Sequence, residues 1–380
     1  MKFVKLAPYL LALSTFILLL VVLYPPRVPL SPLNHLDTTP KSPPPPQYKI
    51  LGFVPYWNMK KITPLALDSI TDFAYFALHL DSTGRVYQLV NRREEDPGYT
   101  NYKRLINNPI KVPLTLTIMP IDQDSLTSIL SSKTAMETAI ASILQVQKES
   151  GAVGINLDFE PLGNPPPSLR NSFTTFVKRL AQESENLSLA LSVSVYPSVG
   201  TSQRIWDLRS LTPHLDYLVV MAYDYTLPGN DKTGPNAPIR GAGQLFENDI
   251  LTNLASISKL VPPDKILLGI PFYGYEWKTS EGTKYTETSG RGSVASLERI
   301  DALIRDNTLE LLWDRNTLTP YALKRESGEI VSQIYFEDIN SIKLKLELVK
   351  KSGLGGIAIW ALGYEGDNTA LWTTITNYLR

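Results

Sequence analysis

From residue 48 onward, apolar and polar positions follow two alternating patterns. Short segments dense in Val, Ile, Leu and aromatic residues stand at 49–55, 72–80, 114–119, 152–160, 187–196, 217–223, 265–273 and 356–362. They have the length and composition of buried strands. Between several of them lie longer stretches with helical spacing, at 125–130, 135–149, 167–185, 247–260 and 339–351. Eight strands interleaved with helices predict an α/β fold, a (β/α)8 TIM barrel spanning 48–380. A doubly wound open sheet is the competing arrangement, but no glycine-rich phosphate loop follows the first strand. The interval 276–338 is too long for one crossover helix. It holds a helical piece at 296–306, strand-like pieces at 309–314, 321–325 and 330–336, and a hairpin turn at 324–329. It reads as a small α+β insertion before the last strand.

The fourth segment sorts its residues by face. Ile155, Leu157 and Phe159 fall on one side, Asn156, Asp158 and Glu160 on the other. If the polar side points into a barrel, two carboxylates share a low-dielectric space, and one is held protonated near neutral pH. A polar edge strand is the plainer alternative. Working residues of such barrels sit at the C-terminal ends of strands. Here the first strand ends in Pro55-Tyr56-Trp57, the sixth in Met221-Ala222-Tyr223-Asp224-Tyr225, the seventh in Pro271-Phe272-Tyr273 and the eighth in Ile359-Trp360.

Residues 1–47 follow neither pattern. Lys2 and Lys5 precede an apolar run over 6–24, which is close to the length a membrane-spanning helix needs. No small-residue cleavage site follows it. Segment 1–24 is therefore expected to be an anchor that leaves the rest of the chain outside the cell membrane; a cleaved signal peptide, giving a secreted protein, is the alternative. Segment 25–47 holds nine of the 29 prolines, ending in Pro43-Pro44-Pro45-Pro46, and reads as a semi-rigid linker.

Composition narrows the chemistry. Lys plus Arg and Asp plus Glu both number 37, so no basic excess points to nucleic acid. The absence of cysteine removes disulfides, thiolate metal sites and a cysteine nucleophile. His35, His79 and His214 are too scattered for a zinc site.

The fourth-strand pattern and the Met221-Ala222-Tyr223-Asp224 strand end together resemble glycoside hydrolase family 18, the chitinase-like family, whose signatures read DxxDxDxE and MxYD. The resemblance covers about 48–380. It implies a retaining glycosidase that cleaves β-1,4 bonds of N-acetylglucosamine-containing glycans and uses the substrate's own 2-acetamido oxygen as nucleophile, an exception to the two-carboxylate scheme. It implies Glu160 as general acid, Asp158 as the residue orienting the acetamido group, and Tyr223 and Asp224 (with Met221 beside them) as its supports. Trp360 becomes the platform beneath the sugar, and Tyr56 and Tyr273 further sugar contacts. No metal or organic cofactor is implied.

Two positions depart from the pattern. Val153 and Asn156 stand where the family has aspartates. Asn156 is expected to support Asp158, and the lost charge to leave Asp158 more readily ionised. The Asn-containing variant resembles the branch with spore-cortex and peptidoglycan N-acetylglucosaminidases. A non-catalytic, lectin-like binder of N-acetylglucosamine polymers is the alternative, although it would not need Glu160. A barrel hydrolase holding a metal through Asp158 and Glu160 is a third reading, without histidines to complete the ligand set.

Overall fold

The structure, a computed structural model, describes residues 48–380. The expected anchor at 1–24 and linker at 25–47 lie outside the described residues. Among the described residues no helix is long and apolar enough to cross a membrane.

The eight expected strands form a closed parallel barrel: β1 (Lys49–Pro55), β2 (Asp72–Leu80), β3 (Leu114–Pro120), β4 (Gly154–Leu157), β5 (Ala190–Val195), β6 (Tyr217–Val220), β7 (Ile266–Pro271) and β8 (Gly356–Trp360). Each pairs with its neighbour in chain order, and β8 closes on β1. Most of the apolar side chains face outward into one continuous layer beneath the helices. On β4 this layer takes Ile155, Leu157 and Phe159; the Phe159 ring lies 5.6 Å from Phe173 and 5.4 Å from Phe176 on the helix Pro167–Asn186. Docking those rings fixes the parity of the strand, because a slip of one residue would turn every side chain over. Asn156 and Asp158 are thereby pointed inward.

The barrel interior has two characters. Leu51, Phe53, Ala74, Leu267 and Ala358 make an apolar half around β1, β2, β7 and β8. Across the barrel, β3, β4 and β5 present Thr117, Asn156, Ser192 and Ser194, all buried. Buried polar side chains need partners. Asn156 donates from Nδ2 to Ser192 Oγ at 3.0 Å and accepts from Ser194 Oγ at 3.0 Å.

Most of the helices begin where a side chain caps them. Ser132 caps the helix Lys133–Ser150 and Gly151, at φ 66°, ends it. The helix expected over 247–260 is shorter, Ile250–Ile257, because Asp249 and Thr252 form a capping box that starts it late. The strand expected over 265–273 divides at Phe272. Its second part, Tyr273–Lys278, leaves the barrel and enters a five-stranded antiparallel sheet in the order Ser293–Ser296, Tyr273–Lys278, Glu329–Tyr335, Thr319–Glu326 and Leu309–Asp314, accompanied by the helix Leu297–Arg305. The hairpin turn expected at 324–329 is a two-residue turn at Ser327 and Gly328, both with positive φ (50° and 89°), the geometry that matches strand twist.

Candidate active site

The C-terminal ends of the strands surround a cavity of about 840 Å³. Among the residues expected there, Asp158, Glu160, Met221, Tyr223, Asp224, Tyr273 and Trp360 all line it. Asn156 does not. It lies one layer below, fully buried, and its side-chain hydrogen bonds go to Ser192 and Ser194 rather than to Asp158. The expected direct support of Asp158 is therefore corrected: Asn156 braces β4 against β5. Val153 stands half-exposed at the opposite, N-terminal end of β4, away from the cavity. Tyr56 is also corrected. The chain turns into a short 3-10 helix at Tyr56–Lys61, so the Tyr56 ring packs with the outer core and only Trp57, half-exposed, stays near the floor at 6.3 Å from Phe76.

Asp158 is 4 % exposed and its Oδ1 has no hydrogen-bond partner among the described residues. Burial pushes its carboxyl well above the usual range, and the neighbouring Glu160 pushes it further. Burial also raises Glu160; the Tyr196 hydroxyl beside it opposes this and the Asp224 charge adds to it. Among the described residues no cation forms an ion pair with either carboxyl, so the two retain a proton at pH values where isolated ones release it.

Asp224 follows β6 in a left-handed conformation, φ 62°, which Asp tolerates better than most residues. Its N–H donates to Asn236 Oδ1 at 2.8 Å, and Asn236 in turn donates to the Tyr273 carbonyl at 3.1 Å. Its Oδ1 accepts from the hydroxyls of Tyr273 (2.5 Å) and Tyr275 (2.7 Å), two residues that share one face of the insertion's strand. Burial and three nearby carboxylates push the Tyr223 hydroxyl well above its ordinary value, so it stays protonated. It makes no hydrogen bond within the described residues, and it faces the cavity as a free donor. The floor is aromatic: Trp360 meets Phe76 edge-on at 4.5 Å and Phe53 at 6.1 Å.

Several lining or supporting residues went unread in the sequence. Tyr196 directly follows β5, and the rule that strand ends carry the working residues would have found it. Gln123 opens the helix Gln123–Ser131, and Arg204 comes from a loop. Gln123 donates to the Glu160 carbonyl at 2.7 Å and accepts from the Leu162 N–H at 2.9 Å, pinning the backbone on both sides of Pro161. Arg204 donates from Nη1 to the carbonyls of Pro161 (3.1 Å) and Gly163 (3.2 Å). Among the described residues, no group of three or more His, Cys, Asp or Glu side chains is placed to hold a metal ion.

Comparison with known proteins agrees with this geometry. The family model of glycosyl hydrolases family 18 matches residues 49–365. A cortical fragment-lytic enzyme of Bacillus anthracis is 26% identical over 240 residues, 62% of this chain but only 52% of that enzyme, so the chain spans about half the length of this relative. A class V chitinase of Arabidopsis thaliana is 24% identical over 339 residues, 83% of this chain and 86% of the chitinase. Among solved structures, a chitinase from Cycas revoluta in complex with (GlcNAc)3 superposes with a TM-score of 0.74 at 21% identity, covering 87% of this chain and 100% of that one. With a family match across most of its length, the chain belongs to glycosyl hydrolases family 18.

Proposed function

We propose that the protein hydrolyses β-1,4 bonds of N-acetylglucosamine-containing glycans with retention, through an oxazolinium intermediate. The observation that carries this reading is the presence of two unengaged groups on residues lining the same cavity. An amide offers an N–H donor and a carbonyl acceptor. Asp158 Oδ1 is an acceptor without a donor, and the Tyr223 hydroxyl is a donor without an acceptor. A 2-acetamido group satisfies both.

With the sugar ring against Trp360, the acetamido oxygen attacks C1 as the C1–O bond to the leaving sugar breaks. Glu160 passes its proton to the departing oxygen. Glu160 is left as a carboxylate, the acetamido nitrogen becomes cationic, and the Asp158 carboxylate, accepting its N–H, stabilises that charge. Water then attacks C1 from the side the leaving sugar vacated. Its proton goes to Glu160, the bond from C1 to the acetamido oxygen breaks, and the amide is restored. Asp224 acts through position: two tyrosine hydroxyls fix its carboxylate beside Tyr223 and Glu160.

Substrates include chito-oligosaccharides or the glycan strands of peptidoglycan, and residues 1–24 hold the catalytic domain on the outer side of the cell membrane. The assignment of the acid is tested by Glu160→Gln in the full chain. The variant should keep its fold by circular dichroism and lose about 1000-fold in kcat on chitotetraose. Loss of less than about tenfold would remove Glu160 from the role of acid.

A further inference from the structure

We infer that Arg204 is a specificity-determining residue that receives a carboxylate carried by the leaving sugar, the 3-O-lactyl group of an N-acetylmuramoyl residue. The inference rests on the hydrolytic reading above and names the substrate class for the same cleft. Arg204 is the one basic side chain among the described residues lining the cavity, whose acidic side chains are Asp158, Glu160, Asp224 and Glu247. It has no carboxylate partner among the described residues. Its Nη1 donates to two neutral carbonyls, its Nε is buried without a partner, and Nη2 makes no hydrogen bond to the described chain. Guanidinium groups in such settings match carboxylates, which accept two parallel N–H bonds.

The side chain is held there at a cost. Arg204 has φ 46°, a left-handed conformation unfavourable for a long side chain. Arg170 Nε donates to the Arg204 carbonyl at 2.8 Å and secures the turn, while the guanidinium stacks 4.8 Å over the Tyr196 ring. That stacking also locates it along the substrate. Glu160 protonates the oxygen between the two sugars, and Tyr196 sits between Glu160 and Arg204. The aromatic floor of Trp360, Phe76 and Phe53 belongs to β8, β2 and β1, whereas β5, which leads to Tyr196 and Arg204, lies across the barrel. The ring to be cleaved rests on the floor, and the leaving sugar lies toward Arg204. A neutral leaving sugar gives the guanidinium nothing to pair with, and a lactyl carboxylate does.

The test uses the full chain carrying Glu160→Gln, so that binding is read without turnover. Dissociation constants are measured by calorimetry for a GlcNAc–MurNAc tetrasaccharide with free lactyl carboxylates, for its methyl esters and for chitotetraose. The free acid should bind about tenfold or more tightly than the ester, and added salt should shrink the ratio. The added substitution Arg204→Gln should bring the ratio to about one, and Arg204→Lys should leave it in between. Equal binding of acid and ester in the parent overturns the inference without any variant being made. A hyaluronan tetrasaccharide, whose carboxylate sits on C5, should not compete with the free acid; preference for it would overturn the lactyl assignment. Wild-type turnover separates the two readings. Hydrolysis of chitotetraose with equal acid and ester affinities sinks only the Arg204 role, whereas an acid preference without hydrolysis of any of the three glycans sinks only the proposed reaction.

Discussion

Asp158 and Glu337 are both carboxylates removed from water, at 4 % and 2 % exposure, and the fold treats them in opposite ways. Glu337 accepts from Lys345 Nζ at 2.7 Å and Ser341 Oγ at 2.6 Å, and Lys345 is itself fully buried. Burial raises the Glu337 carboxyl above its ordinary value, and the lysine and serine offset part of that rise. At Asp158 burial raises the carboxyl and the nearest charged neighbour, Glu160, raises it further. The Glu337 charge is compensated by a cation, although its Oε1 also lacks a hydrogen bond among the described residues, and the Asp158 charge is not compensated. A compensated buried pair joins two pieces of structure, here the end of the insertion's sheet to the helix Ile339–Lys351. An uncompensated one stores a proton and an unmet hydrogen-bonding demand, which a substrate can satisfy.

The contrast can be broken from either side. The largest effect on stability is expected from Lys345→Met, which strands Glu337 and should cost about 3–5 kcal/mol in urea unfolding. Turnover per folded molecule should stay at the wild-type value. Loss of less than about 1 kcal/mol would mean that the pair contributes no more than an exposed one. At the other site, Asp158→Asn should lower kcat about 100-fold on chitotetraose, because the amide cannot balance the charge that develops on the acetamido nitrogen.

The smallest effect sharpens the comparison by its sign. A carboxyl whose value is raised in the folded state binds a proton that the unfolded chain has released, so it lowers stability as pH rises above the ordinary carboxylate range of about 4. Asp158→Asn should therefore raise Tm by a few degrees at pH 7 and leave it nearly unchanged near pH 4. A lower Tm at pH 7 would indicate that the Asp158–Glu160 pair stabilises the fold.

The barrel was legible because its strands obey a strong constraint. Outward side chains such as Ile155, Leu157 and Phe159 must meet helices, and that fixes which residues face in. The same periodicity exposed Asp158, Glu160, Tyr223, Asp224 and Trp360 as strand-end residues. What escaped depends on contacts between distant segments. Gln123 reaches Glu160 across 37 residues and Arg204 reaches Pro161 across 43, and no local pattern encodes such distances. Tyr56 was misplaced because the chain leaves the strand direction at that residue, turning the ring from the cleft to the outer core. The helix Pro97–Asn107 was missed because it opens on Pro97-Gly98, a pair that reads locally as a turn, although Asp96 caps it. Asn156 pairs with serines on β5 because its neighbours in the barrel are decided by strand register, which the fourth strand alone does not reveal.

The central claim is that a substrate amide, oriented by Asp158 and Tyr223, replaces a second catalytic carboxylate. The most direct test is the anomeric form of the first product, followed by proton NMR in the opening minutes of chitotetraose hydrolysis by the full chain, before mutarotation. The account predicts the β-anomer in excess, as two displacements at C1 require. The α-anomer in excess would mean that water attacks C1 directly, and would contradict the role given to the acetamido group.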